Sequence, residues 1–249
     1  MTKSRTFVVA LMIGLFGISG FVGAGSVARA QESTPADQQS FPVNIRFINA
    51  MTSLNAIDVY INGDDSEQRV VEGLEYGTVS EVFEGTAPVT GVLIKQNVNA
   101  GFDRYIFDTI VPTEAGKEYL VVVSDLIVIP SELDLSALGP AESRVRTIHA
   151  AAQAPSLDFY VSEPGSDEAI ADLVPIVTDV RYGQVTDGGE VQAGTWDVRG
   201  NASGTDTVAL EASGLALEAG QVYALVILGT PGSTEQPLEL LPIAFPAAE

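Results

Sequence analysis

His149 is the only histidine in the chain, and the chain contains no cysteine. A thiolate nucleophile and a cysteine-based metal cluster are therefore excluded, and His149 is the obvious candidate for a general base. No Gly-x-Ser-x-Gly nucleophile elbow accompanies it. Asn49 stands at the equivalent place in an internal repeat, and an asparagine hydrogen-bonds the backbone but cannot shuttle protons. We therefore predict a structural role for His149 at the end of a strand, with ligand or metal contact and catalysis as alternatives.

Acidic side chains are the second chemical feature, with 33 Asp and Glu residues against 12 Lys and Arg. Calcium takes oxygen ligands, which are usually held on loops, and the candidates here are Asp64, Asp65 and Glu67, together with Asp187 and Glu190. No Asp-x-Asp-x-Asp-Gly spacing is present, and a chain this acidic has acidic loops by chance. We expect no cofactor, with calcium as the open alternative. Nothing in the sequence selects a facing carboxylate pair of the kind that a glycosidase needs.

The net charge excludes two classes of partner. Without residues 1–30 the chain has nine Lys and Arg against 33 acidic residues, a net charge of −24. Nucleic acids and anionic lipids are recognised by clustered Lys and Arg. We therefore expect neither nucleic-acid binding nor docking on an anionic membrane.

The first thirty residues have the pattern of an export signal. Lys3 and Arg5 precede an apolar run from Phe7 to Val22, and Ala28-Arg29-Ala30 supplies small residues for cleavage after Ala30. An uncleaved anchor is the alternative. Residues 31–40 are polar and aperiodic, which predicts a flexible tether. We expect a secreted, extracellular or cell-envelope protein that is not inserted in the membrane after cleavage.

The rest of the chain contains an internal repeat with a separation of about 100 residues. The matching segments are Arg46–Ala50 with Arg146–Ala150, Ile57–Tyr60 with Leu157–Tyr160, Tyr76-Gly77 with Tyr182-Gly183, and Glu114–Tyr119 with Glu218–Tyr223. Four matches in one order indicate two copies of one fold. We place the first repeat at 41–129, a linker at 130–141, the second repeat at 142–230, and a C-terminal tail at 231–249 that could add an edge strand.

Each repeat has short apolar or alternating runs separated by Gly, Pro, Asn and Asp, which predicts strands and little helix. About seven strands in about 85 residues is typical of an immunoglobulin-like sandwich. We therefore predict an all-β chain with two tandem immunoglobulin-like antiparallel β-sandwich domains.

Several residues have predicted structural roles within these sandwiches. Gly116 and Gly220 begin the turns before Tyr119 and Tyr223, where a tyrosine corner would lie. Asp58 with Arg46, and Asp158 with Arg146, could form cross-strand ion pairs. Trp196 is the only tryptophan, and we predict that it packs in the core or half-buried on a sheet, with sugar stacking as the alternative.

These residues carry a resemblance to a known family. Arg146-Thr-Ile-His-Ala150, Ala154-Pro155, Leu157-Asp-Phe-Tyr160, Tyr182-Gly183, Ala193-Gly-Thr-Trp196 and Leu217-Glu-Ala-Gly220-x-x-Tyr223 resemble the bacterial and archaeal family called domain of unknown function 4397. The first repeat departs from this pattern at Asn49 and at 86–90. The resemblance implies exported, often tandem, immunoglobulin-like β domains, and it implies no chemistry.

We therefore expect a non-catalytic binding, adhesion or spacer module at the cell exterior, whose partner is an unknown extracellular protein or glycan. A carbohydrate-active or other exported hydrolase is one alternative. A calcium-stiffened surface rod is another, because Glu132, Asp134 and Glu142 lie close to the predicted junction of the repeats.

Overall fold

The computed structural model describes residues 41–248 except 63–66, 88–90, 97–103 and 167. The predicted signal at 1–30, its cleavage after Ala30, and the tether at 31–40 lie outside these residues. Within the described part of the chain, no helix is both long and apolar enough to span a bilayer.

In its described residues, the first repeat has eight strands in two four-stranded sheets. Its strands are β1 (Phe41–Ala50), β2 (Ala56–Asn62), β3 (Glu67–Glu75), β4 (Phe83–Ala87), β5 (Gly91–Gln96), β6 (Arg104–Ile110), β7 (Glu118–Ser124) and β8 (Val128–Leu133). The outer sheet has the order β3-β2-β5-β6, and the inner sheet has the order β4-β1-β7-β8.

The second repeat has the same topology. Its strands are β9 (Glu142–His149), β10 (Leu157–Ser162), β11 (Val177–Val180), β12 (Val185–Gln192), β13 (Gly194–Ala202), β14 (Val208–Leu217), β15 (Gln221–Leu228) and β16 (Glu239–Pro246). The sheet orders are β11-β10-β13-β14 and β12-β9-β15-β16. Strand pairs are antiparallel except β1–β7 and β9–β15. The all-β class with two tandem sandwiches is confirmed.

Two local predictions differ from the structure. Residues 130–133 were expected in the linker but belong to β8, an edge strand in which Pro130 is tolerated because edge strands need not use every backbone N–H. Each repeat has eight strands among its described residues rather than about seven, because β8 and β16 each extend an inner sheet.

The hydrophobic core continues across the two repeats. Along β7, Tyr119, Val121 and Val123 belong to the core of the first repeat. The alternate residues Leu120 and Val122 belong to a second core, which also contains residues of β9, β15 and β16. The continuous apolar runs of β7 and β15 follow from this arrangement, because each strand is buried on both faces. The inner sheets of the two repeats therefore pack against each other.

Candidate binding cavity

The two repeats differ at the centre of their own cores. Phe47 is fully buried in the single core cluster of the first repeat. Its counterpart in the second repeat is Thr147, a much smaller side chain. There the core is divided into two clusters, one around Leu157 and Phe159 and the other around Val145 and Leu225. The missing ring leaves space between them.

A second pair of residue differences between the repeats, next to Thr147, compensates for only part of this lost volume. Phe159 occupies the position of Val59, and Gly200 occupies the position of Ile94 on the adjacent strand. A Cβ atom on Gly200 would lie 3.1 Å from the ring of Phe159 and 2.9 Å from Leu210. The glycine is therefore required by close packing beside the phenylalanine ring.

The remaining space is an open apolar cavity of about 260 Å³ between the two sheets of the second repeat. Its wall is formed by Val145, Thr147, Phe159, Val161, Ile176, Val191, Gln192, Trp196, Val198, Leu215, Leu217 and Leu225. Trp196 is partly buried there, and its indole Nε1 donates a hydrogen bond to the Gln192 carbonyl at 3.1 Å. The predicted packing residue is thus part of a cavity wall.

Thr147 is one of two polar side chains in that wall, with Gln192. It is only 4% exposed. Within the described part of the chain its hydroxyl makes no hydrogen bond. A hydroxyl without an internal partner can donate a hydrogen bond to a ligand in the cavity or accept one from it.

His149 lies outside the cavity wall and is fully buried. One ring nitrogen, Nε2, lies 3.0 Å from the carbonyl of Pro155, and the ring packs edge-on against Tyr182 with centroids 6.4 Å apart. Burial lowers the pKa of His149 below its usual value of 6.5, partly opposed by the hydrogen bond to Pro155. Asn49 holds the equivalent loop through the carbonyls of Leu54 and Leu74.

The predicted ion pairs Arg46–Asp58 and Arg146–Asp158 are wrong, because β1 and β2, like β9 and β10, belong to different sheets. Arg46 lies 4.0 Å from Glu118 and stacks on Phe245, whose ring centroid is 5.2 Å from its guanidinium carbon. Arg146 pairs with Asp187 at 2.5 Å.

Asp58 and Asp158 instead hold a left-handed residue on the neighbouring strand. The Gly73 backbone N–H donates to Asp58, and the Asp179 backbone N–H donates to Asp158, each at 2.7 Å. The φ angles of Gly73 and Asp179 are 61° and 52°. Burial tends to raise the pKa of Asp158, but the bonds from Asp179, Gly204 and Ser203 hold that pKa below its usual value. A general acid requires the opposite shift, which gives the hydrolase alternative no support.

The described calcium candidates contact cationic side chains. Glu67 accepts from Lys95 at 2.6 Å, Asp187 from Arg146, and Glu190 from Arg144 at 2.8 Å. Asp64 and Asp65 lie outside the described residues. Among the residues that the structure describes, no group of three or more His, Cys, Asp or Glu side chains could hold a metal ion.

The acids at the junction of the repeats are also engaged. Glu132 accepts from Lys117 at 2.7 Å, Asp134 accepts from the Ser136 backbone N–H and pairs with Arg144, and Glu142 accepts from the Gly139 backbone N–H. A wide cleft of about 810 Å³, with several charged residues in its wall, lies beside Glu132 and Asp134. Because its charged walls already have internal partners, this cleft offers a ligand little.

Two tyrosines have the geometry of a tyrosine corner. The Tyr119 hydroxyl accepts from the Glu114 backbone N–H at 3.0 Å, and the Tyr223 hydroxyl accepts from the Glu218 backbone N–H at 2.9 Å. Gly116 and Gly220 adopt φ angles of 75° and 74° in the intervening turns. These glycines therefore have a conformational requirement, because side chains disfavour that region.

The profile of one family, described as "Domain of unknown function (DUF4397)", matches residues 43–160 and 143–247. The chain belongs to the DUF4397 family. No curated protein matches it. Solved structures with some similarity include a family CBM26 carbohydrate-binding module from Eubacterium rectale Amy13K in complex with maltoheptaose, at 10% identity and a TM-score of 0.24, covering 84% of this chain and 98% of the other.

A candidate cell adhesion protein from Parabacteroides distasonis is similar at 9% identity and a TM-score of 0.22, covering 84% of this chain and 100% of the other. Neither likeness bears on the function of the DUF4397 repeats at scores this low.

Two features of the DUF4397 repeats were missed in the sequence. Thr147 has no predicted role of its own, although the exchange of Phe47 for Thr147 at aligned positions indicates lost core volume. Tyr182 reaches from the second repeat to the first, where its hydroxyl lies 2.7 Å from the Ser124 hydroxyl. The sequence shows that Tyr182 is equivalent to Tyr76, but it does not show that Tyr182 contacts the first repeat.

Proposed function

We propose that this protein is an exported, non-catalytic binding module that acts at the cell exterior and recognises its ligand in the apolar cavity of the second repeat. The observation that carries the proposal is the cavity itself. An open space of about 260 Å³ with an almost entirely apolar wall is a liability for stability unless something fills it. The N-terminal pattern of residues 1–30 supports export.

The lining supports binding rather than catalysis. It contains no Asp, Glu, His, Lys, Arg or Ser, so it offers no acid, base or activated nucleophile of the usual kinds. A glycan is the less favoured ligand, because sugar hydroxyls need several hydrogen-bonding partners and this wall supplies only Thr147 and Gln192.

The test uses the chain from residue 31 and adamantane, a compact hydrocarbon that does not absorb where tryptophan does. Trp196 is the only tryptophan and lies in the cavity wall, so its emission reports occupancy directly. We expect a saturable change in Trp196 emission and a rise in Tm, since a ligand that binds only the folded state stabilises it.

Thr147→Phe is the matched variant, because it restores the side chain that the first repeat has at this place. A cavity of about 150 Å³ holds benzene, so the larger cavity here has room for the added ring. We expect Thr147→Phe to fold and to lose the response to adamantane. Thr147→Leu is a second filling variant, and Val208→Ala, at an exposed position outside the cavity wall, is the control that keeps the response.

An unchanged emission spectrum in the natural protein, or the same response in both filled variants, would show that the cavity does not bind apolar ligands. A saturable Trp196 response to an oligosaccharide in place of adamantane would overturn the apolar assignment.

A further inference from the structure

We infer that the natural ligand is a small neutral molecule with a compact apolar body and one hydrogen-bonding atom that pairs with the Thr147 hydroxyl. This inference rests on the proposed function and specifies the ligand of the same site. It follows from the size of the cavity, the chemistry of its wall, and the charge of the protein.

The size and surroundings of the cavity favour a small molecule over a protein surface. A standard protein interface buries about 800 Å² on each partner and has an apolar centre. The exposed large apolar side chains of the described residues are distributed along both repeats, at Val82, Tyr105, Ile110, Leu126, Ile127, Val174, Ile176 and Val208. Of these, only Ile176 lines the cavity, whose concave wall encloses about 260 Å³, a space suited to a small molecule rather than to a protein surface.

The Thr147 hydroxyl in the wall indicates that the ligand has a hydrogen-bonding atom. Thr147 is 4% exposed, and its hydroxyl has no hydrogen-bonding partner among the described residues. Valine would have the same shape without the hydroxyl. A ligand atom that hydrogen-bonds the Thr147 hydroxyl would therefore gain an interaction that valine could not provide.

The charge of the protein indicates the charge of the ligand. The wall has no cationic side chain to neutralise an anion, and residues 31–249 carry a net charge of −24. An anionic ligand would lose its hydration and gain no counter-charge. The wall has no carboxylate to hold a cation either. The ligand is therefore neutral.

The experiment compares three molecules with one apolar body, namely adamantane, 1-adamantanol and adamantane-1-carboxylate, using Trp196 emission in the natural protein and in Thr147→Val. We expect the ratio of the Kd of 1-adamantanol to the Kd of adamantane to be lower in the natural protein than in Thr147→Val. We expect the ratio of the two Kd values to change by about three- to tenfold between the proteins, which corresponds to one hydrogen bond. The carboxylate should bind most weakly to both.

The outcomes separate this inference from the proposed function. If adamantane binds neither protein, the proposed function fails. If adamantane binds both proteins but the alcohol-to-hydrocarbon ratio is the same in each, the cavity binds ligands but Thr147 does not recognise them. Tightest binding of the carboxylate would contradict the neutral ligand. Thr147→Val should fold normally, because the hydroxyl that it removes supports no internal hydrogen bond, and an unchanged or raised Tm checks this.

Discussion

His149 and Asn49 occupy equivalent positions, and each binds a carbonyl of the loop that follows its strand. The two side chains are therefore interchangeable in geometry but not in charge. His149 is fully buried and next to the ring of Tyr182, an environment that favours the neutral imidazole.

This environment predicts a loss of stability in mild acid. The pKa of His149 is lowered in the folded protein from a usual value of 6.5, so below that pH the unfolded chain takes up a proton before the folded chain does. The free energy of unfolding therefore falls as the pH drops below about 6.5 and is unaffected by His149 well above it. Thermal unfolding from pH 8 to pH 5.5 measures this dependence.

His149→Asn is the matched variant, because it copies the first repeat. It should show a smaller decrease in Tm over the same pH range, and the difference between the two proteins isolates the imidazole from the many carboxylates. Identical pH profiles would mean that His149 does not couple folding to protonation.

Among the strands, β16 contributes more to the hydrophobic core than its sequence indicates. It lies at a sheet edge, yet Phe245 is fully buried and belongs to the core shared by the two repeats. The same ring also lies under the guanidinium of Arg46 from the first repeat. The tail thus closes the contact between the repeats.

We therefore expect Phe245→Ala to be severely destabilising. Removing a fully buried phenylalanine side chain costs about 3–5 kcal/mol, and denaturant unfolding would measure the change. Glu239→Ala, at an exposed position of the same strand, should change the free energy of unfolding by less than about 0.5 kcal/mol. Equal effects of the two substitutions would show that β16 only covers an edge.

At the scale of the whole molecule, the shared core makes the two repeats one folding unit. Leu120 and Val122 of the first repeat and Val222, Val226 and Phe245 of the second are buried in it. Neither repeat could unfold alone without exposing this apolar surface to water, which is unfavourable in proportion to its area.

We expect the described chain to unfold in a single calorimetric transition whose measured enthalpy equals its van't Hoff enthalpy. Val121→Ala, which affects only the core of the first repeat, should lower the temperature of that whole transition. Two transitions, of which only one responds to the substitution, would mean that the repeats are independent domains.

The class of fold and its duplication follow from local features of the sequence. Alternating apolar residues and turn glycines are local properties of the chain, and a repeated pattern such as Glu-Ala-Gly-x-x-Tyr describes a local turn. The equivalence of Asn49 and His149 was readable for the same reason. Wrong ion partners were predicted for Asp58 and Asp158, because a sequence pattern does not say which sheet each strand joins.

The use of the two faces of each strand depends on packing between distant parts of the chain. The alternate residues of β7 enter two different cores, and the exchange of Phe47 for Thr147 produces a cavity only because Phe159 and Gly200 fill the space incompletely. The volume of the cavity depends on side chains that come from distant parts of the chain. No local sequence pattern describes it, so the candidate binding site is visible only in the folded molecule.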